Sequence, residues 1–150
     1  LRKDARWSDG KPIRAQDYVY AWLRLLDPNT ASRSAFLAYP IKNAQAFTAG
    51  KILDPQHVGV RVVDDYTVAI TLERPTPYFL YLLRSESFAP VRQDLVEQFG
   101  PKWTRVEHIV SNGPFRLKEH TQYERSVVEK NPLYWNAKSV RLPGINFLTI

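Results

Sequence analysis

The chain has 150 residues, of which 44% are hydrophobic and 24% are charged, with a formal net charge of +6 and no cysteine. Such a composition is typical of a globular protein, and the lack of thiols excludes disulfide bonds, thiolate catalysis and cysteine-ligated zinc. No apolar run approaches the roughly 18 residues that a transmembrane helix needs, and the residues given contain no signal-peptide pattern. Lysine and arginine are dispersed among acidic residues, which argues against a block that binds nucleic acid.

A tight turn and a long amphipathic helix follow each other near the start of the chain. The letters SDGKP at 8–12 predict a turn, because glycine tolerates a positive φ and proline fixes the φ of an extended segment that leaves the turn. Apolar residues then recur at helical spacing and predict a helix over 15–26 with one buried face. Arg14 stands at the cap position, where a serine or threonine would be expected. Only Asp17, three residues later, therefore supplies half of a capping box, and its negative charge is favourable for the helix dipole. Asp27 and Pro28 end the predicted helix, because the residue before a proline is disfavoured in the α-helical conformation.

Two short helices are predicted after this long one. Polar residues at 29–32 can cap a helix over 33–39, which Pro40 stops. A second short helix is predicted over 42–48, with Gly50 in the position of a C-terminal glycine.

The periodicity then changes from helical to alternating. The pattern predicts two strands, at 60–63 and 66–72, joined by a two-residue turn at Asp64 and Asp65. The even-numbered apolar residues of the second strand would face the core. Neither turn residue is a glycine, so a slightly longer turn stays open as an alternative.

The remaining elements are two helices and an antiparallel pair. Helices are predicted over 78–83 and 92–99, the second ending at a glycine. The letters NGP at 112–114 make a sharp break, which opens an antiparallel pair of strands at 115–119 and 125–130.

No arrangement of residues points to catalysis, a metal or a cofactor. The three histidines, His57, His108 and His120, lie in polar, loop-like surroundings without a nucleophile elbow. No histidine pair has i, i+4 spacing on a helix, and the six glycines are isolated from one another, so no phosphate-binding loop is present. The abundant aromatic residues could stack bases, but their spacing favours a protein core.

Four stretches, taken together and in order, are more specific than any single motif. They are WSDGKP with its helix and LLDPNTAS at 7–32, VVDDYTVAITLERPTPYF at 62–79, EQFGPKWTRVEHIVSNGPFRL at 97–117 and VVEKNPLYWNAKSV at 127–140. This set resembles the oligopeptide-binding proteins of bacterial peptide importers. These are large extracellular solute-binding proteins of a family that also includes dipeptide, murein-peptide and nickel binders.

The resemblance implies a fold of the periplasmic binding protein type II, combining α+β and α/β parts. Residues 1–90 would form a small α+β domain that is incomplete at its N-terminus. Residues 91–150 would form an incomplete part of the larger α/β domain, the larger ligand-binding lobe. Because members of the family are several times longer, we expect the chain to be an internal piece of a longer protein.

The resemblance also implies a function, the substrate-binding component of an ABC-type peptide importer. Such a protein captures a peptide between two lobes without chemistry or cofactor, then presents it to an ABC permease in the inner membrane. The implied location is the periplasm, with the signal peptide outside the residues given. Three alternatives stay open: the solute-sensing domain of a transcriptional regulator, a binder of a non-peptide solute, and a basic nucleic-acid-binding module.

The resemblance points to two pairs of site residues. Arg33 and Ser34 stand where many oligopeptide binders have a proline and an aromatic residue that lines a side-chain pocket. The departure predicts a wetter and larger pocket, although Ser34 could equally be a helix-start residue at the surface. Asn112 and Gly113 would lie near the domain junction. We expect Gly113 to permit a φ or a close backbone approach that a side chain would prevent, and a hinge role is a hypothesis.

Overall fold

The computed structural model describes residues 1–148. These residues form two compact units. The first comprises Leu1 and Arg14–Gln93, and the second comprises Arg2–Ile13 and the residues from Asp94 onward. No helix within residues 1–148 combines the length and the hydropathy that crossing a bilayer requires.

The long helix of the first unit, α1, spans Ala15–Leu26, the bounds that its apolar periodicity predicts. An arginine side chain has no acceptor atom and cannot cap a helix. Instead, the backbone N of Arg14 donates to Oδ2 of Asp17 at 2.9 Å, the half capping box that the sequence predicts. Asp27 then adopts an extended conformation with a ψ of 122° and ends the helix. The buried residues of α1 are Ala15, Val19, Ala21, Trp22, Leu25 and Leu26.

The other helical segments of the first unit are short. They are the α-helices α2, Ala44–Thr48, and α3, Phe79–Leu82, and the 3-10 turns Ala35–Ala38, Pro55–His57 and Glu86–Phe88. Three of them begin later than predicted, and α3, expected over 78–83, does so by one residue. The helix expected at 33–39 is reduced to a 3-10 turn after Ala31 takes a φ of 49°. The helix expected at 42–48 becomes α2 because Asn43 takes a φ of 62°.

The predicted hairpin is present, but its turn is displaced. β1, Val60–Asp64, pairs antiparallel with β2, Thr67–Ile70, and the register shifts between Val62 and Asp64. The turn therefore falls at Asp65 and Tyr66, and the prediction of a turn at 64–65 is wrong by one residue. The backbone N of Tyr66 donates to Oδ1 of Asp64 at 2.8 Å. This Asx interaction extends β1 by one residue and moves the turn.

The core of the first unit lies between α1, α2 and the hairpin. Three aromatic rings meet edge to face in it, with centroids 5.6 Å apart for Trp22 and Phe88 and 6.4 Å apart for Phe79 and Phe88. Such geometry places the positive ring edge against a negative ring face. The prediction that aromatics serve the core is correct for these residues. It fails for Tyr81 on α3 and for Phe36, which are both exposed.

The second unit contains an antiparallel sheet and most of α4, Gln93–Phe99. A 3-10 turn, Gly100–Thr104, follows this helix, and its first residue has a φ of 52°, as expected for a C-terminal glycine. The sheet has the order β3, β4, β5, with β3 Phe115–Thr121, β4 Arg125–Lys130 and β5 Gly144–Leu148. The pairing of β3 with β4 confirms the predicted pair, whereas the place of β5 beside β4 was not predicted.

Candidate functional site

The three histidines lie in unrelated surroundings. Nδ1 of His57 lies 3.7 Å from Oδ2 of Asp54, and Nδ1 of His120 lies 2.9 Å from Oγ of Ser126. His108 stacks on the ring of Phe99 with centroids 3.7 Å apart. Within residues 1–148 no group of three or more histidine, cysteine or acidic side chains could hold a metal ion. The candidate site residues from the sequence are Arg33, Ser34, Asn112 and Gly113.

The segment that leads to Arg33 and Ser34 is a polar turn. Oδ1 of Asp27 accepts from the backbone N of Asn29 at 2.8 Å and from its Nδ2 at 3.0 Å. Ala31 adopts the left-handed conformation and redirects the backbone. The local sequence builds this turn because an aspartate carboxylate readily accepts from the amide two residues later.

Arg33 is exposed and Ser34 is half-buried. Ser34 precedes the 3-10 turn Ala35–Ala38, and its carbonyl accepts from the backbone N of Leu37 at 3.1 Å, so it starts a helical turn. Within residues 1–148 neither the Arg33 guanidinium nor the Ser34 hydroxyl has a hydrogen-bond or ion-pair partner. Both side chains are therefore available to a ligand, and the helix-start role of Ser34 does not exclude ligand contact.

Two adjoining shallow grooves lie on the first unit and share Tyr39, Gln45 and Glu73. One has a volume of about 360 Å³ and is also lined by Phe36 and Tyr78. The other has a volume of about 430 Å³. No motif in the sequence signals these grooves, because their walls come from segments more than twenty residues apart that only the folded chain brings together.

The structure contradicts the conformational reason given for Gly113. Its φ lies outside the left-handed region, and a Cβ built on it meets no atom within 4 Å. Crowding occurs at two other glycines instead. A Cβ at Gly59 would lie 2.5 Å from the carbonyl oxygen of Thr71, and one at Gly144 would lie 2.6 Å from that of Val128. Gly113 therefore needs neither a positive φ nor a close approach, and its hinge role remains a hypothesis.

A buried asparagine, Asn131, stabilises the backbone at Asn112 and Gly113, and the sequence did not predict this role. Asn131 is fully buried, and its Nδ2 donates to the carbonyl oxygen of Gly113 at 3.0 Å. Its backbone N donates to the carbonyl of Pro114 at 2.9 Å, and its Oδ1 accepts from the backbone N of Leu133 at 3.0 Å. The only signal was an asparagine before a proline, which indicates a strand end and nothing more.

The turn at 8–12, near the start of the chain, contacts Ser111, the residue before this break. The backbone N of Ser8 donates to the carbonyl of Ser111 at 2.8 Å, and the backbone N of Ser111 donates to Oγ of Ser8 at 3.1 Å. The Ser111 hydroxyl in turn donates to the carbonyl of Phe115 at 2.8 Å. Residues on both sides of Asn112 are therefore fixed by hydrogen bonds.

Tyr18 and Asp4 each have a shifted pKa, and the two shifts have different physical causes. Burial raises the pKa of Tyr18 above its ordinary value of 10.0, and the negative charge of Asp17 adds to this shift. A hydrogen bond from Arg2 lowers the pKa of the Asp4 carboxyl. The Arg2 guanidinium also lies 3.8 Å from the ring centroid of Trp135, a cation–π arrangement. Neither group lies at a candidate site residue.

These features define a protein with mixed helices and sheets. The chain belongs to the bacterial extracellular solute-binding proteins, family 5, whose middle region matches residues 1–150. It has the fold class of the type II periplasmic binding proteins.

Among curated relatives, the chain is similar to the periplasmic oligopeptide-binding protein OppA of Salmonella typhimurium. The two are 49% identical over 143 residues, which cover 93% of this chain and 26% of the relative. A solved structure of OppA from Burkholderia pseudomallei is 43% identical with a TM-score of 0.96, and the match covers 100% of this chain and 29% of that one.

A third relative is Haemophilus influenzae OppA, solved in complex with the peptide RPPGFSPFR. It is 41% identical with a TM-score of 0.93, and the match covers 100% of this chain and 29% of that one. The chain thus spans between a quarter and a third of the length of the relatives it matches.

Proposed function

We propose that the chain is part of the substrate-binding component of an ABC-type peptide importer. The observation that carries the proposal is its similarity, over its whole length, to an oligopeptide-binding protein whose structure holds a peptide. The full-length protein captures peptides between two lobes and releases them unchanged. The relatives are binding proteins, and the role proposed for this protein is non-catalytic.

The domain organisation and the location are part of the same proposal. Residues 1–90 belong to a small α+β domain, and residues 91–150 belong to the larger ligand-binding lobe. The change from one compact unit to the other after Gln93 supports this boundary for the residues from Arg14 onward. Arg2–Ile13 belongs to the second compact unit, so the unit division does not support placing these residues in the small domain. Since the relatives are periplasmic, the protein acts in the periplasm and delivers peptides to an ABC permease in the inner membrane.

Arg33 and Ser34 contribute to the ligand site in this proposal. The support is the availability of both side chains, since neither has a protein partner within residues 1–148. A guanidinium attracts carboxylates, and a small hydroxyl leaves space for water beside the ligand. Asn112 and Gly113 serve as part of a hinge, for which the support is their place between two hydrogen-bonded anchors.

The test is calorimetric titration of the full-length protein with peptide mixtures of defined length, with free amino acids and a bile salt as control ligands. We expect peptides to bind and to be recovered intact. Arg33→Gln is expected to weaken binding of peptides with acidic side chains more than that of neutral ones. Binding of the control solutes without any peptide binding would overturn the proposal in favour of a non-peptide binder.

A further inference from the structure

We propose that Asn112 is a site of spontaneous deamidation in the folded protein, where it yields aspartate and isoaspartate. The reaction needs three conditions at once: a free amide N–H on the next residue, an unobstructed approach to the asparagine side chain, and access for water. Among the six asparagines of the chain, only Asn112 precedes a glycine. The structure supplies the other conditions there.

The nucleophile of this reaction is the backbone N of Gly113. Within residues 1–148 this N–H donates to no protein atom, and the Asn112 side chain has no recorded hydrogen-bond partner. Asn131 holds the carbonyl of Gly113, which takes no part in the attack. The reacting nitrogen and the side-chain amide carbon are therefore unencumbered.

Steric access at the same position is open. Glycine has no Cβ to shield its backbone nitrogen, and the space where a Cβ would lie is empty to 4 Å. Asn112 and Gly113 are both partly exposed and lie outside regular helices and strands, so water can reach the ring that forms.

Four of the five other asparagines lack a free nucleophile. The amide that follows Asn29, Asn43 or Asn136 donates to a backbone carbonyl, at 3.0, 3.1 and 2.9 Å respectively. Asn131 precedes a proline, which has no N–H, and Asn146 lies within β5. Asp9 also precedes a glycine, Gly10. It is protected from the same ring closure because the N–H of Gly10 donates to the carbonyl of Trp7 at 2.9 Å.

The chemistry balances with water as the only co-reactant. The Gly113 nitrogen loses its proton and bonds to the side-chain carbonyl carbon of Asn112, the bond from that carbon to the amide nitrogen breaks, and ammonia leaves with a proton. Hydrolysis of the resulting succinimide at either carbonyl gives aspartate or isoaspartate. The product adds one negative charge, and in the isoaspartate the main chain runs through the former side chain.

The test is incubation of the folded chain in mildly alkaline buffer, followed by trypsin digestion and mass spectrometry of the peptide 106–116, which contains a single asparagine. We expect amide-to-acid conversion at Asn112 to be about tenfold faster than at Asn43, since freeing the bonded amide there costs one hydrogen bond. A parallel incubation in urea measures the rate without structure.

Two outcomes separate the proposal from a property of the dipeptide alone. A folded-state rate within a few-fold of the urea rate supports it, and Gly113→Ala in the folded chain should then slow conversion by at least about tenfold. An Asn112 that stays intact in the folded chain but converts in urea would overturn the proposal, because the fold would then protect the site.

Discussion

The indole Nε1 of Trp22 donates a 2.9 Å hydrogen bond to the backbone carbonyl of Phe88, and both side chains are buried. The bond joins α1 to the last 3-10 turn of the first unit, 66 residues later in the chain. It satisfies the single polar atom of a large buried ring and the carbonyl of an irregular segment at once. Both groups would otherwise lose their hydrogen bonds to water without replacement.

The first prediction concerns this bond. Trp22→Phe keeps an aromatic ring but removes the donor and leaves the Phe88 carbonyl unpaired beside a small cavity. We expect the free energy of unfolding to fall by about 2–4 kcal/mol in urea denaturation. Trp135→Phe is the matched control, because Trp135 is 45% exposed and should cost less than about 1 kcal/mol. Equal losses in the two variants would contradict the role given to the bond.

The second prediction concerns Asn131, whose side chain makes two hydrogen bonds while fully buried. Asn131→Ala leaves the Gly113 carbonyl and the Leu133 amide without these partners, so we expect a loss of about 2–4 kcal/mol. Hydrogen exchange of the amides around residues 112–114 should rise with it. Asn136→Ala is the control, since within residues 1–148 its side chain has no recorded hydrogen bond, and it should stay within about 0.5 kcal/mol of the wild type.

The third prediction is an alkaline loss of stability that depends on Tyr18. Its pKa is raised by burial and then by the charge of Asp17, so the folded state holds the phenol proton more tightly than the unfolded state. The stabilisation is fully present below the ordinary pKa of 10.0 and is lost as the pH rises through the higher folded-state pKa.

Chemical denaturation across this alkaline range measures the effect. The wild type should lose more stability with rising pH than Tyr18→Phe does, because the variant has no phenol to ionise. Parallel pH profiles for the two proteins would show that Tyr18 does not contribute, since the other ionisable groups are common to both.

The fourth prediction separates stability from motion at Gly113. Its φ is ordinary and the space for a Cβ is open, so Gly113→Ala should raise the free energy of unfolding by about 0.4–1 kcal/mol through the unfolded state. If the position is a hinge, the same variant of the full-length protein should close around a peptide more slowly in stopped-flow fluorescence. Unchanged closure kinetics would remove the hinge hypothesis.

Some of the fold could be predicted because the deciding interactions are local. The bounds of α1 follow from apolar spacing, the carboxylate of Asp17 and the proline after Asp27, all within one stretch. The displacement of the hairpin turn also has a local cause, because Oδ1 of Asp64 accepts from the backbone N of Tyr66. The alternating strand pattern alone does not decide between this turn and a pairing register shifted by one residue.

The candidate site was less predictable. Arg33 and Ser34 were found only through the resemblance, and their ligand role stays a prediction. For Gly113 the local rule misled, because a glycine in a sharp break suggests a special φ, whereas the backbone there is ordinary. What holds this break is Asn131, eighteen residues away, and no spacing in the sequence connects the two.

By itself, the sequence determined the bounds of α1, the β3 and β4 pair, the absence of disulfides and the family, since these depend on residue types within short windows or on several motifs in order. Only the tertiary structure decided which distant groups meet: Trp22 with the Phe88 carbonyl, Ser8 with Ser111, and Asn131 with Gly113. The physical reason is that a buried polar atom must find a partner wherever packing places one, and packing is a property of the whole chain.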